Sequence, residues 1–377
     1  MTRTPRTRRR PPDLAPRDVA PRGSALAPTG SAAGPVQERR PAEERRPVSA
    51  VVPPGAAGTI RVAIHDAAGL REREGLGALP SGSIPPGTSI WIDASGPSPD
   101  QVAEITRALG LHELIAEDIL EGNQRSKIEV TDNRIHIVLF ALAYADPIDV
   151  SEIDIVLGDG FLLTAHAASW DPRETHHLRG NGLAGVLGRG PDHLLWAICD
   201  GLVDAYFPLM DRLGDEIDLV QDVVIAHATP ATLERLFELK RELVVVRRAS
   251  GPVREIFNQL TNRDLALIDA EEILYFRDVY DHLIRLTDEL DNYRELVSGT
   301  LDVYLSTVNN NLSLIMKRLT GVTVVLTGIG AIGGIFGMSE AGTAFAGGET
   351  AGFWIVTAAA IGLALLMAFV LRRLGWI

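Results

Sequence analysis

Two uncharged stretches, Leu319–Met338 and Ala351–Leu371, fall within the last sixty residues of this 377-residue chain, and no other run of that length lacks charge. Each is about twenty residues long, which at about 1.5 Å rise per residue spans a hydrocarbon core of roughly 30 Å. The polar side chains of the first stretch are Thr320, Thr323 and Thr327. Their spacing of three and four places them on one helical face. Continued toward the N-terminus, the same spacing gathers Met316, Ser313, Asn309, Ser306 and Asp302; toward the C-terminus it gathers Gly330, Gly334 and Gly337. A membrane helix that keeps its polar groups on a single stripe faces a cavity or a polar neighbour, not lipid. One helix cannot enclose a pore, so the stripe predicts several copies around an axis, with this face as the channel wall.

Lys317 and Arg318 precede the first stretch, and Arg372 and Arg373 follow the second. Basic flanks belong on the cytoplasmic side. The expected topology is a multi-pass hairpin in the cytoplasmic membrane, residues 319–377, with both chain ends cytosolic and a short outer loop, Ser339–Thr350. The loop carries Glu340 and Glu349 and no basic residue. It either presents negative charge at an outer mouth or holds two ordinary solvated glutamates.

The formal net charge is −13, but residues 1–50 hold eleven arginines against five acidic residues, with nine prolines and few large apolar groups. Residues 1–57 therefore read as a disordered Arg/Pro-rich tail, because such a segment cannot bury enough surface to offset chain entropy. It is either a plain solvated tail or a weak contact with anionic lipid. The acidic remainder argues against nucleic acid as a partner, since phosphate binding needs a basic face. The single cysteine, Cys199, sits in the mostly apolar run Leu194–Val203 and reads as a core residue. His176 and His177 lie among polar residues and read as surface rather than as ligands. There is no CxxC, HExxH, GxSxG, Walker loop or GxGxxG on a strand, so nothing points to an enzyme or a nucleotide engine.

Between tail and membrane, residues 58–190 read as an α/β domain. Ile60–Ile64, Ser89–Asp93, Arg134–Leu142, Glu152–Leu157 and Phe161–Ala165 are β-rich runs bounded by turn residues, for a sheet of about five or more strands. Ser98, followed by Pro99 and Asp100, caps a helix through Leu109, and His112–Leu120 forms a second short helix. Residues 191–318 read as a helical funnel and stalk. Helical periodicity runs through Val223 with a possible kink at Pro208, resumes at Pro230, and breaks at Asn262–Leu267. From Asp269 to Met316 there is no proline. One helix of about 65–70 residues from Asp269 to Phe336, about 100 Å long, is predicted, against a broken pair at Ser298–Gly299. A helix of that length needs partners, which implies an oligomeric stalk.

Particular residues carry a family resemblance. Tyr275-Phe276-Arg277-Asp278-Val279-Tyr280-Asp281-His282 resembles the YFRDVYDH motif of the CorA family of divalent-cation channels. Ala116-Glu117-Asp118-Ile119-Leu120, with Gln124-Arg125 and Lys127, resembles another element of that family, and so do Glu238–Leu243, Gly251–Glu255, Leu301–Ser306 and Met316–Thr320. The likeness covers about residues 60–377. It implies a homopentameric funnel in which the long helix lines a pore and the second membrane helix surrounds it. The ion it implies is Mg²⁺, or in some members Co²⁺, Ni²⁺ or Zn²⁺, driven by the electrochemical gradient. By the same resemblance Asp118 and Asp278, with Glu117 adjacent, bind regulatory Mg²⁺ between subunits. Asp302 and Ser313 face the pore, and Met316, Leu319 and Thr320 form its hydrophobic constriction. Read without the resemblance, Asp118 and Asp278 are members of ordinary salt bridges, with Lys127 and Arg277 at hand.

The chain departs from the family at its outer filter. The family has Gly-Met-Asn; here the aligned residues are Gly337-Met338-Ser339. Serine offers a shorter reach to a hydrated Mg²⁺ than asparagine does, so a weaker ring or a different ion preference is expected, with Glu340 compensating. The family's proline in the first span is replaced by Thr327–Gly328. Two alternatives follow: a zinc, cobalt or nickel transporter of the ZntB-like branch, or a non-conducting, membrane-anchored Mg²⁺ sensor.

Overall fold

The computed structural model describes residues 58–79, 84–122, 124–131, 133–337 and 349–376. The expected disordered tail, and Met338, Ser339 and Glu340 of the filter and outer loop, lie outside these residues.

Seven strands form one mixed sheet in the order β2-β1-β3-β7-β6-β5-β4. They are β1 (Thr59–Asp66), β2 (Gly69–Glu74), β3 (Ser89–Ser95), β4 (Lys127–Thr131), β5 (Arg134–Ala143), β6 (Asp149–Gly158) and β7 (Phe161–His166). The β3–β7 pair is parallel and the other pairs are antiparallel. Alternation along β3 sorts its side chains to opposite faces. Ile90, Ile92 and Ala94 join a cluster with Ile105 of α1 (Pro99–Leu109) and, at its edge, Ile115 and Ile119 of α2 (Glu113–Glu121). Trp91 points into the larger core on the other face, which is built with the helices that follow the sheet. The sheet is thus covered on both sides. As expected, Ser98 caps α1, in a reciprocal capping box with Gln101.

The helices on the second face are α3 (Gly182–Leu187), α4 (Pro191–Asp204), α5 (Tyr206–Ala226) and α6 (Pro230–Asn262). The chain then enters α7 (Ile273–Gly337), a single helix of 65 residues, and ends in α8 (Glu349–Arg373). The break after α4 falls at Ala205, not at Pro208 where the sequence places a possible kink. The reason is that proline withholds the N–H that would bond the carbonyl four residues earlier, at Asp204. α6 runs continuously through Pro252, and α7 runs unbroken through Ser298–Gly299.

Along α7 the residues Phe276, Val279, Leu283, Leu286, Leu290, Val297 and Tyr304 are buried, at spacings of three and four and then of seven. This stripe packs against α5 and α6. Beyond Tyr304 the large apolar side chains Leu305, Leu312, Ile315, Met316, Leu319, Val322 and Leu326 are exposed within one chain. α7 is long and apolar enough to cross a membrane.

Candidate functional site

Two regions carry the residues singled out above. The first is the distal half of α7. Gly321 is buried there, Val325 and Gly328 are half-buried, and a Cβ at Gly328 would stand 3.2 Å from Sδ of Met367 on α8. These positions, four and three apart, mark the face that packs on α8. At about 100° per residue, the centre of the Thr320–Thr323–Thr327–Gly330 stripe lies about 150° around the helix from that face. Asp302, Asn309, Ser313, Met316, Thr320, Thr323, Thr327 and Gly330 are all exposed in the single chain. Leu319 is exposed as well but lies off the stripe. Two of the hydroxyls are satisfied along their own helix: Ser313 Oγ donates to the Asn309 carbonyl at 2.9 Å, and Thr323 Oγ1 to the Leu319 carbonyl at 2.8 Å. Gly337 is the last residue of α7 and Glu349 the first of α8.

The second region lies where α4 meets the start of α7. The start of the YFRDVYDH segment is anchored by a polar cluster in which Glu272 and His193 are buried and Arg189 is exposed. Arg189 donates to the Tyr275 hydroxyl at 3.0 Å and to Glu272 at 2.8 Å, and His193 Nδ1 lies 2.7 Å from the second Glu272 oxygen. Phe276 and Val279 face the core, which leaves Asp278 exposed on the opposite side of the helix. Asp278 gathers with Asp200 of α4 and His282, one helical turn along α7, their ligand atoms all within 4.8 Å of one another. Asp204 faces His282 at 3.6 Å, and its carboxyl is raised above the usual range by burial and by the Asp200 charge.

Asp118 sits in a separate cluster with Glu129 and His136. Lys127 Nζ donates to Asp118 at 2.6 Å and to Glu129 at 2.9 Å. Burial pulls the Lys127 amine down, but these two bonds outweigh it and the net shift is upward. So Asp118 is held in the salt bridge that the bare sequence suggests, and the chain does not bring it to Asp278. Glu117, beside it, is exposed. Behind this cluster Glu152 is raised to about 7 by burial and by the neighbouring Asp154 charge.

Asp200 escaped the sequence reading because it lies inside the apolar run that hides Cys199. Cys199 is fully buried as expected, and burial pushes its thiol up. The surface expectation for the histidine pair holds for His176, whose side chain is 54% exposed, and fails for His177, which at 23% is folded back onto Asp200.

Residues 86–373 match the family described as CorA-like Mg²⁺ transporter protein. The chain is 34% identical over 257 residues to the cobalt/magnesium transport protein CorA of Thermotoga maritima, covering 67% of this chain and 73% of that protein. It is 25% identical over 290 residues to the cobalt/magnesium transport protein CorA of Methanocaldococcus jannaschii, covering 76% of this chain and 91% of that one. The complete structure of the M. jannaschii CorA magnesium transporter superposes with a TM-score of 0.70 at 24% identity, over 84% of this chain and 98% of that one.

Proposed function

The chain belongs to the CorA-like Mg²⁺ transporter family, a family of transporters rather than enzymes, and we propose that it passes Mg²⁺ through a homopentameric pore lined by α7. The observation that carries this reading is the placement of the polar stripe. Asp302, Asn309, Ser313, Met316, Thr320, Thr323, Thr327 and Gly330 lie on the side of α7 turned away from α8, with no partner element in the described residues. Five copies around an axis would cover that stripe with itself and leave water inside it, which is what polar groups at membrane depth require.

In this arrangement Met316, Leu319 and Thr320 form the constriction, Gly337, Met338 and Ser339 the outer filter, and Glu340 and Glu349 the negatively charged mouth. α8 returns through the membrane around the pore in contact with lipid, and both termini are cytosolic. Mg²⁺ is both cargo and regulator. Asp278, already beside Asp200 and His282, meets Glu117 and Asp118 of a neighbouring copy across a regulatory ion that holds the pore shut. Carboxylates from two subunits repel unless a hard dication sits between them. Depletion of cytosolic Mg²⁺ then loosens the closed state, which gives feedback. A preference for Co²⁺, Ni²⁺ or Zn²⁺ is the second reading, favoured by the serine at 339.

The test is ion flux into liposomes carrying the purified protein, comparing Mg²⁺ with Co²⁺, Ni²⁺ and Zn²⁺. Mg²⁺ flux that cytosolic-side Mg²⁺ suppresses, and that Asp278→Ala releases, supports the reading. Zn²⁺ flux without Mg²⁺ flux moves the protein to the zinc branch, and no flux from an intact oligomer leaves only the sensor.

A further inference from the structure

The loop before α3 is built to reach α4. Asp171 caps its first turn by accepting the Arg173 N–H at 2.9 Å, the Leu178 N–H closes on the Thr175 carbonyl at 3.1 Å, and the Leu178 side chain is buried. Thr175 lies against Gly201, where a Cβ would stand 2.5 Å from the threonine Cβ, so only glycine admits this approach. The contact sets the next two residues over Asp200. His177 Nε2 is 2.7 Å and His176 Nε2 3.7 Å from Asp200 Oδ2, and the three donor atoms lie within 4.8 Å of one another.

We propose that His176, His177 and Asp200 form a site, within one subunit, for a borderline transition-metal dication: Zn²⁺, Co²⁺ or Ni²⁺. Donors around a tetrahedral ion of this class stand about 3.3 Å apart, so small side-chain rotations close the set. Asp200 Oδ2 is the oxygen that both histidines meet, and Asp200 is 5% exposed, so its charge is held away from water beside them. A dication bound there offsets the cost of burying that charge. Two imidazoles select against Mg²⁺, which prefers oxygen donors and its own water. The Asp204 carboxylate, 3.8 Å from His176 Nδ1, stands behind that ring where it can orient it. The site opens to solvent through His176. It shares Asp200 with the Asp278 cluster but approaches it from the loop side, and metal capture here does not require conduction.

The experiment titrates Co²⁺ into the chelator-stripped, detergent-purified full chain in excess Mg²⁺, reading the visible absorption of the bound cobalt and its stoichiometry. The expected result is one Co²⁺ per chain with the absorption of an imidazole-bound, low-coordinate ion. His176→Ala, at an exposed position that leaves the core untouched, weakens it at least about tenfold, and Asp278→Ala retains it. Equal affinity in His176→Ala and the parent, displacement of Co²⁺ by Mg²⁺, or loss with Asp278→Ala alone would each overturn the proposal. None of these readouts depends on flux, so a failed transport assay leaves the site standing.

Discussion

Lys127 Nζ lies 2.6 Å from Asp118 Oδ2, so within one chain the carboxylate proposed to meet a regulatory ion already has a cation on it. Both side chains are mostly buried, at 21% and 15% exposure. An arriving Mg²⁺ must therefore displace or share with this ammonium.

Lys127→Met should accordingly strengthen regulation. Removing a charge-assisted competitor worth about 1–2 kcal/mol lowers the cytosolic Mg²⁺ concentration that half-suppresses flux by about tenfold. A dose–response curve in liposomes checks this; an unchanged midpoint would show that Asp118 takes no part.

Glu152 gives a pH dependence with a definite sign. Its folded pKa of about 7 stands above the ordinary value of 4.5, chiefly through burial. The folded state then holds the proton more tightly than the unfolded chain, and stability falls as pH rises between those two values. Glu152→Gln removes that loss. It should raise the unfolding temperature at pH 8, by an amount corresponding to about 1 kcal/mol after allowance for partial exposure, and do little at pH 4. Thermal scans at the two pH values decide it.

Glu272 ties Arg189 and His193 to the start of α7 from a position only 5% exposed. Glu272→Ala leaves His193 buried beside a lost partner and frees Tyr275 from the arginine that Glu272 orients. The expected cost is about 2–4 kcal/mol, read as a lowered unfolding midpoint. A change within about 0.5 kcal/mol would mean the cluster is dispensable.

What could be read from the residues follows from where each sits. The five strands foreseen all have buried faces, so their apolar runs are visible. β2 and β4 are harder to read because they are the two edge strands, exposed or half-buried along their length: GLRERE has a single large apolar residue, and KIEVT alternates Ile128 and Val130 over only five residues. The unbroken α7 was legible because proline is absent and the 3-4 stripe is continuous. Asp200 was not, because a buried carboxylate in an apolar run looks like an interruption until the fold brings His177, Asp278 and His282 to it. No role was assigned to His282, although it stands within the recognised motif, because sequence alone does not say which side of α7 meets α4.

A threonine stripe that lines a water-filled pore must be open to water-borne reagents on that face of α7 alone. Cys199 is buried, so cysteines introduced on α7 are the reactive thiols among the described residues. Thr323→Cys and Val322→Cys should be compared for Mg²⁺ flux before and after a membrane-impermeant thiol reagent. Modification should stop flux through Thr323→Cys and leave Val322→Cys, about 120° from the centre of the stripe, conducting. Block at Val322→Cys with Thr323→Cys unaffected, or equal block at both, would contradict it.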